Sequence, residues 1–283
     1  MPETPRDKVW LITGCSSGMG REIARAALER GYRVVLSARD PATLAELGAR
    51  SPERSAAAAL DVTDRAQIAA AVRLALERFG QIDVLVNNAG YGYLAALEEG
   101  DETELRAMFE TNFWGLAAMT RAVLPHMRAR RSGQIIHNSS QAGLMSYPGT
   151  AWYSTSKFAV EAFSEGLSRE LAPFGIRVTA IEAGPFRTDW AGRSMKRASE
   201  RIPDYAEIVW ERARLIAEMD GKQPGDPVRA AAAVVALVEC EAPPRQLLLG
   251  RGVLQAYRQK LAEVGAMLDA WESVTLGADF PPE

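Results

Sequence analysis

The chain has 283 residues, is 47% hydrophobic and 24% charged, and carries a formal charge of −3. That length fits one large domain or two small ones, and the balance is ordinary for a soluble globular protein. The net charge argues against a nucleic-acid binder, and no apolar run approaches the roughly 20 residues that cross a bilayer.

The first eight residues are polar, with Pro2 and Pro5, and lack the apolar core of a signal peptide. A cytoplasmic location is therefore expected. Residues 9–13 form a short apolar run that reads as a first strand. A glycine-rich turn follows, containing Gly14, Ser16, Ser17, Gly18, Met19 and Gly20, and then a helical stretch over 19–30. The glycines let backbone N–H groups approach a pyrophosphate at the positive end of a helix. A strand before and a helix after are the context such a site requires. The second strand, 32–37, leads into Ala38 and Arg39. A site for NAD places an acid near this point to bind the ribose 2′-hydroxyl. Ser37 and Ala38 cannot do so, whereas Arg39 offers a charged fork suited to a 2′-phosphate. Asp40, followed by Pro41, reads as the N-cap of the next helix. NADP(H) is expected over NAD(H).

Further strands are expected at 56–60, 82–86, 134–138 and 176–182, with a seventh candidate at 246–249, and helical patterns fill most gaps. Such alternation predicts βαβ units and a doubly wound parallel α/β sheet covered on both faces. There is no linker and no internal repeat, so a single domain over 1–283 is expected. A segment at about 189–226 breaks the alternation. It mixes charges such as Arg193 and Lys196 with apolar Trp190, Met195 and Trp210, and it reads as helical decoration on the substrate side. The tail from Gly277 through Pro281 and Pro282 is expected to fray.

Tyr153 and Lys157 stand i and i+4 in a helical stretch over 151–171. That spacing sets both side chains on one face, with Cβ atoms roughly 5–6 Å apart. A free tyrosine ionises near pH 10, and bringing it to neutrality requires roughly 4 kcal/mol. An ammonium about 4 Å away, at an effective dielectric of about 20, supplies about that much. Tyr153 is thus a candidate general acid and base tuned by Lys157.

With these residues in place the chain resembles the short-chain dehydrogenase/reductase family, of its typical single-domain branch. The glycine turn, Asn87-Asn88-Ala89-Gly90 after the fourth strand, Asn112, Ser140 thirteen positions before Tyr153, and the Tyr153–Lys157 pair carry the resemblance. It implies a Rossmann-type fold and hydride transfer between a nicotinamide and a small-molecule carbonyl or secondary alcohol. It implies that Ser140 donates to the substrate oxygen, that Lys157 also binds the nicotinamide ribose, and that Asn112 holds a relay water. Asp61 and Val62 match the adenine contacts, and Asn88, Ala89 and Gly90 match the residues lining the ribose. Arg39 matches a basic position of NADP-preferring members. Ser17 stands where a second basic residue is frequent, and Ala183 replaces the usual proline before Gly184. Gly184 and Thr188 remain, so Thr188 is expected to bind the nicotinamide. A homodimer or homotetramer is implied.

Other residues read more plainly. Ser139 is expected to be structural, and His137 to be a core histidine. Cys15 and Cys240 are expected to be free thiols, and with only His126 and His137 there is no metal site. Arg128, Arg130 and Arg131 read as a helix end. Tyr91 and Met145 are candidate substrate contacts, with Tyr93, Leu144, Tyr147, Trp152 and Trp190 nearby. Two rival functions stay open: a non-catalytic NADP-binding regulator, disfavoured because Asn112, Ser140, Tyr153 and Lys157 are all present, and an isomerase or dehydratase that retains its cofactor.

Overall fold

The computed structural model of the chain describes residues 7–199 and 201–280. The stretch before Asp7, Glu200 and the Pro281–Pro282 end of the tail lie outside the described residues. The elements begin with β1 (Val9–Ile12), α1 (Gly18–Glu29), β2 (Arg33–Ala38), α2 (Ala45–Ala49), β3 (Ser55–Ala59) and α3 (Arg65–Phe79). Then come β4 (Val84–Asn87), β5 (Gly92–Leu94), α4 (Glu102–Phe109), α5 (Leu116–Arg130), β6 (Gly133–Asn138) and α6 (Ala151–Leu171). The chain closes with β7 (Ile176–Ala183), β8 (Met195–Arg197), α7 (Glu211–Glu218), α8 (Pro227–Glu239), β9 (Gln246–Leu249) and α9 (Arg251–Leu276).

Seven strands pair in parallel in the order β3-β2-β1-β4-β6-β7-β9. They are the strands expected from the apolar runs. Successive side chains of a strand point to opposite faces, so each run feeds two cores. Trp10 and Ile12 of β1 pack with Ile23, Ala24 and Ala27 of α1 and with Val234 of α8. Val9 and Leu11 of the same strand pack with Ile68 and Ala71 of α3, Met119 and Val123 of α5, and Leu167 of α6. Burial on both faces explains why these strands read as continuous apolar runs instead of alternating ones.

The strand order reverses between β1 and β4. The chain winds outward through β2 and β3, then returns to the other side of β1. Such a reversal leaves a crevice beyond the carboxyl ends of the two central strands. Gly14 follows β1 and Asn88 follows β4, so both motifs open onto that crevice. Asp40 caps the 3₁₀ turn that starts at Pro41, accepting from the Ala42 N–H at 3.0 Å, as expected.

One expectation needs correction. The 189–226 segment is not purely helical: its β8 pairs in parallel with β5 to form a second, two-stranded sheet. Tyr93, Leu94 and Met195 bury their side chains there, but three residues per strand are too few for a period-2 pattern to stand out. The last part of the chain holds α9, 26 residues long, which ends at Leu276 just before the tail. Only Val253 of α9 is buried, so its pattern does not answer to the core.

Candidate functional site

The crevice is a cavity of about 1080 Å³. Most of the expected cofactor residues line it: Gly14, Ser16, Ser17, Gly18, Met19, Arg39, Asp61, Val62, Asn88, Ala89, Gly90, Gly184 and Thr188. Ser140, Tyr153, Lys157 and Tyr91 line it as well. Gly20, Asn112 and Met145 are not among its walls, and each has another task.

The glycine turn is built for close approach. Gly14 takes φ +73°, a left-handed conformation that disfavours a side chain. A Cβ on Gly20 would stand 2.3 Å from both Asn88 Nδ2 and Gly14 O. Gly20 therefore closes the turn onto Asn88 without facing the cavity. Asn88 in turn donates from Nδ2 to Thr13 O at 2.9 Å and to Gly14 O at 3.1 Å. The Thr13 hydroxyl oxygen accepts from the Asn88 and Ala89 N–H groups at 2.9 and 3.0 Å. These bonds tie the two central loops into one cradle. The N-cap of α1, Ser17, makes no side-chain cap bond, and the first turn of α1 carries no acid. The positive end of α1 thus faces the cavity without a competing carboxylate, which suits the phosphates of a dinucleotide.

Asp61 Oδ1 accepts from the Thr63 N–H at 2.9 Å and the Thr63 hydroxyl at 2.8 Å, which sets its carboxylate at the cavity edge. Arg39 is exposed at the end of β2 and makes no ion pair or hydrogen bond among the described residues. Thr188 lies across the cleft from the glycine turn: a Cβ on Gly18 would meet its side chain at 3.4 Å.

Asn112 sits in a π-helical turn, Glu110–Gly115, between α4 and α5. The wider turn swings its side chain inward. Its Oδ1 accepts from the Tyr91 N–H at 3.0 Å, and its Nδ2 donates to Tyr91 O at 2.9 Å and to Ser156 Oγ at 3.2 Å. Asn112 therefore clamps the Tyr91 backbone. Met145 packs with Leu144 and Val253 away from the cavity, and its sulfur accepts from the Tyr147 hydroxyl at 2.9 Å. The expected substrate contact at Met145 is corrected: the turn after β6 rotates it toward the start of α9. Of the neighbouring aromatics, Tyr147 and Trp190 join Tyr91 in the wall, while Tyr93 and Trp152 do not.

The electrostatics of Tyr153 and Lys157 differ from the sequence-based expectation. Burial pushes the Tyr153 hydroxyl up to about 12, and contacts with Ser140 and Trp190 pull it down by less. Burial pushes the Lys157 ammonium down to about 8 against the opposing pull of Glu161. Lys157 Nζ donates to Asn138 O at 2.8 Å and lies 5.9 Å from the centre of the Tyr153 ring. The ammonium points past the tyrosine, so desolvation wins and the expected lowering is absent. Asn138 is a site residue that sequence reasoning missed, whereas Trp190 is expected near the candidate substrate contacts. Asn138 also donates from Nδ2 to Asn88 Oδ1 at 2.9 Å, and the Trp190 ring lies 5.5 Å from that of Tyr153. The position of Asn138 at the carboxyl end of a central strand was the available signal.

Ser140 Oγ accepts from the Ala142 N–H at 3.1 Å, and the Ser140 hydroxyl is in hydrogen-bond contact with that of Tyr153. Ser139 is buried behind it. His137 is a core residue as expected, with ring nitrogens 2.8 Å from Ser164 Oγ and 3.3 Å from Thr120 Oγ1. Burial holds its pKa down at about 3, so it stays neutral. Burial pushes the Cys15 thiol up to about 12, which makes it unreactive.

Behind Lys157, the fully buried Glu182 of β7 meets Glu161 of α6. Burial, with the Glu161 charge added, pushes Glu182 well above the carboxylate range. A carboxyl group with a raised folded-state pKa is harmless below its unfolded value and costs stability as pH climbs above it. Glu182→Gln is therefore expected to melt close to the parent at pH 5 and to melt progressively higher than the parent toward pH 8.5. Parallel melting curves across that range would remove Glu182 from the account.

A family model described as short chain dehydrogenase matches residues 8–199. The chain is 39% identical over 273 residues to oxidoreductase BOA17 of Botryotinia fuckeliana, covering 96% of this chain and 99% of that protein. A crystal structure of a short-chain dehydrogenase from Streptomyces avermitilis superposes with a TM-score of 0.90 at 44% identity, covering 96% and 99% of the two chains. An alcohol dehydrogenase from Thermococcus sibiricus, complexed with 5-hydroxy-NADP, superposes with a TM-score of 0.70 at 28% identity, covering 86% and 95%. A short chain dehydrogenase/reductase from Burkholderia phymatum, in complex with NAD, superposes with a TM-score of 0.80 at 25% identity, covering 92% and 95%.

Proposed function

The chain belongs to the short-chain dehydrogenase family of oxidoreductases, and from that premise we propose that it is an NADP(H)-dependent reductase of carbonyl compounds with Tyr153 as its acid. The carrying observation is that Tyr153, Ser140 and Lys157 share one cavity with the glycine turn and Arg39. In this reading the whole chain acts as one nucleotide-binding domain, with the 189–226 segment covering the substrate side.

The residues divide the work. When bound, the nicotinamide supplies or accepts the hydride. The α1 N-terminus, Gly14 and Gly18 hold the pyrophosphate, Asp61 and Val62 the adenine, and Asn88, Ala89, Gly90 and Lys157 the ribose near the reacting end. Gly184 and Thr188 hold the nicotinamide side. Arg39, with no anion to satisfy it among the described residues, meets the 2′-phosphate. The Ser140 hydroxyl, beside that of Tyr153, binds the substrate oxygen and fixes its position. Tyr153, protonated at neutral pH, gives its proton to that oxygen as negative charge develops there. Lys157, with its pKa near 8, exchanges protons with solvent close to neutrality and restores the tyrosine. A hydroxyl with a raised pKa is protonated at neutral pH, the state from which carbonyl reduction starts. Alcohol oxidation needs the tyrosinate, which burial opposes.

The substrate side carries one further charge. Arg212 of α7 lines the cavity with Leu215, Ile216, Met219 and Trp190. Its guanidinium lies 4.6 Å over the Tyr147 ring and makes no ion pair among the described residues. By contrast, Arg193 is paired with Asp189, and Lys196 with Glu104. A ketone bearing a carboxylate would satisfy Arg212, and a charge-assisted bond of this kind contributes about 1.5–3 kcal/mol. Arg212→Leu should raise KM roughly 10-fold or more for keto acids and leave neutral ketones unchanged. Equal effects on both substrates would remove the anion-reading role.

The reading as a whole is tested by thermal shift with NADP(H) and NAD(H), followed by a panel of ketones and alcohols. A larger shift with NADP(H) and stoichiometric cofactor turnover are expected. Product formed without cofactor turnover would point to an isomerase or dehydratase instead.

A further inference from the structure

We propose that Glu161 and Glu182 hold one proton between them, and that the single negative charge they keep, one helical turn behind Lys157, holds the Lys157 ammonium charged in its buried place. Neither side chain lines the cavity, so both are positioning residues that act through Lys157. The inference rests on the reading of Lys157 as the group that restores the tyrosine proton. Glu161 follows Lys157 by four residues on α6, which sets the two side chains on one face. Glu182 comes from β7, is 0% exposed, and stands beside Leu248 of β9 in the sheet.

The two carboxyl groups are in hydrogen-bond contact. Glu161 Oε2 accepts from Gln246 Nε2 at 3.0 Å. Glu161 Oε1 and both side-chain oxygens of Glu182 are buried and lack a hydrogen-bonded donor among the described residues. The backbone N–H groups of Glu182 and Leu247 favour the charged form of Glu182, but by less than burial and Glu161 oppose it. Two ionised carboxylates do not rest in contact in such a place, because each repels the other and neither is hydrated. One proton between them removes both objections: the O–H of one carboxyl donates to the other, a charge-assisted bond. Burial and the Glu161 charge both push the Glu182 carboxyl up. Glu182 is therefore the member that keeps the proton, and Glu161 the member that carries the charge.

Lys157 needs such a charge. It is 6% exposed, and burial favours its neutral form. Its Nζ is held by a neutral acceptor, Asn138 O. The other titratable groups around it carry no charge at neutral pH. Tyr153 on the same helix keeps its proton, and His137 of β6 is neutral. Glu182 of β7 is neutral within the pair. Among the described residues, Glu161 is the charge that pulls Lys157 back toward the ammonium. Gly143 links this cluster to Ser140. A Cβ on Gly143 would stand 3.0 Å from Glu161 Cγ, 3.0 Å from Lys157 O and 2.7 Å from Ser139 Oγ. The bare glycine lets the turn that carries Ser140 lie directly on Glu161 and the Lys157 backbone, so the acid pair, the lysine and the serine turn form one packed unit.

The test uses the full chain. Competitive acetylation with acetic anhydride across a pH series, read by mass spectrometry at the peptide that holds Lys157, reports the ionisation midpoint of that lysine alone. The parent should give a midpoint near 8. Glu161→Gln keeps the shape of the side chain and an acceptor for Gln246, but leaves only the neutral Glu182 behind the lysine. The midpoint should then fall by about one pH unit or more. Glu161→Asp, which restores the charge, should recover most of that fall. Glu182→Gln should leave the midpoint close to the parent's, because Glu161 keeps its charge. A pair that served packing alone would respond alike to the two glutamine substitutions. An unmoved midpoint in Glu161→Gln, or an equal fall in Glu182→Gln, would overturn the proposal. The pH profile of ketone reduction tests the role given to Lys157 separately: its alkaline limb should move down with the Glu161→Gln midpoint. A midpoint that moves under a profile that does not would uphold the charged pair and remove Lys157 from the return of the proton.

Discussion

Tyr153→Phe is expected to lower kcat by roughly 10²- to 10⁴-fold, the range over which a positioned general acid acts. The substitution is clean because it removes one oxygen. The ring keeps its place in the core formed by Leu94, Leu105 and Met108, and its 5.5 Å packing against Trp190. No hydrogen bond that builds the cofactor cradle passes through the Tyr153 hydroxyl. Melting temperature and the thermal shift with NADP(H) should therefore stay near those of the parent while turnover collapses. Turnover within a few-fold of the parent would sink the proposed chemistry. Because the Tyr153 hydroxyl is pushed up to about 12, carbonyl reduction should persist to higher pH than a tyrosine lowered to neutrality would allow. A reductive pH profile falling between pH 7 and 8 through loss of the tyrosine proton would contradict that.

Arg39→Asp is expected to reverse the cofactor preference. Arg39 is the cavity cation at the end of β2, and it has no protein partner among the described residues. Removing a charge-assisted contact to a 2′-phosphate costs about 1.5–3 kcal/mol, or roughly 10- to 150-fold in affinity for NADP(H). The introduced carboxylate repels that phosphate and can accept from the ribose 2′-hydroxyl of NAD(H). The ratio of kcat/KM for the two cofactors measures the outcome. An unchanged ratio would show that Arg39 does not read the phosphate and would return the choice to Ser17 and its neighbour Arg193, which donates to Ser17 Oγ at 2.9 Å.

Much of the site could be read from the chain because its motifs obey local rules. A glycine turn between a strand and a helix, an N-cap at Asp40, and an i, i+4 pair on α6 each depend on a few neighbouring residues. Sheet positions followed the same way, since strands buried on both faces advertise themselves as apolar runs. Met145 shows where that reasoning stops. It lies near Ser140 in sequence and is apolar, yet the turn after β6 sends it under α9. Asn112 is similar: its motif was visible, but the π-helical turn that commits its side chain to Tyr91 was not.

By itself, then, the sequence determined the parallel α/β sheet, the crevice between β1 and β4, and the set of polar side chains gathered there. Only the tertiary structure decided how those side chains are charged and which way they face. Burial is a sum over distant segments. Tyr153 and Lys157 are i, i+4 neighbours, yet their pKa values are pushed to about 12 and about 8 by desolvation that no local spacing encodes. The same holds for α9: that Val253 alone of its residues is buried could be seen only once the core had been filled without it.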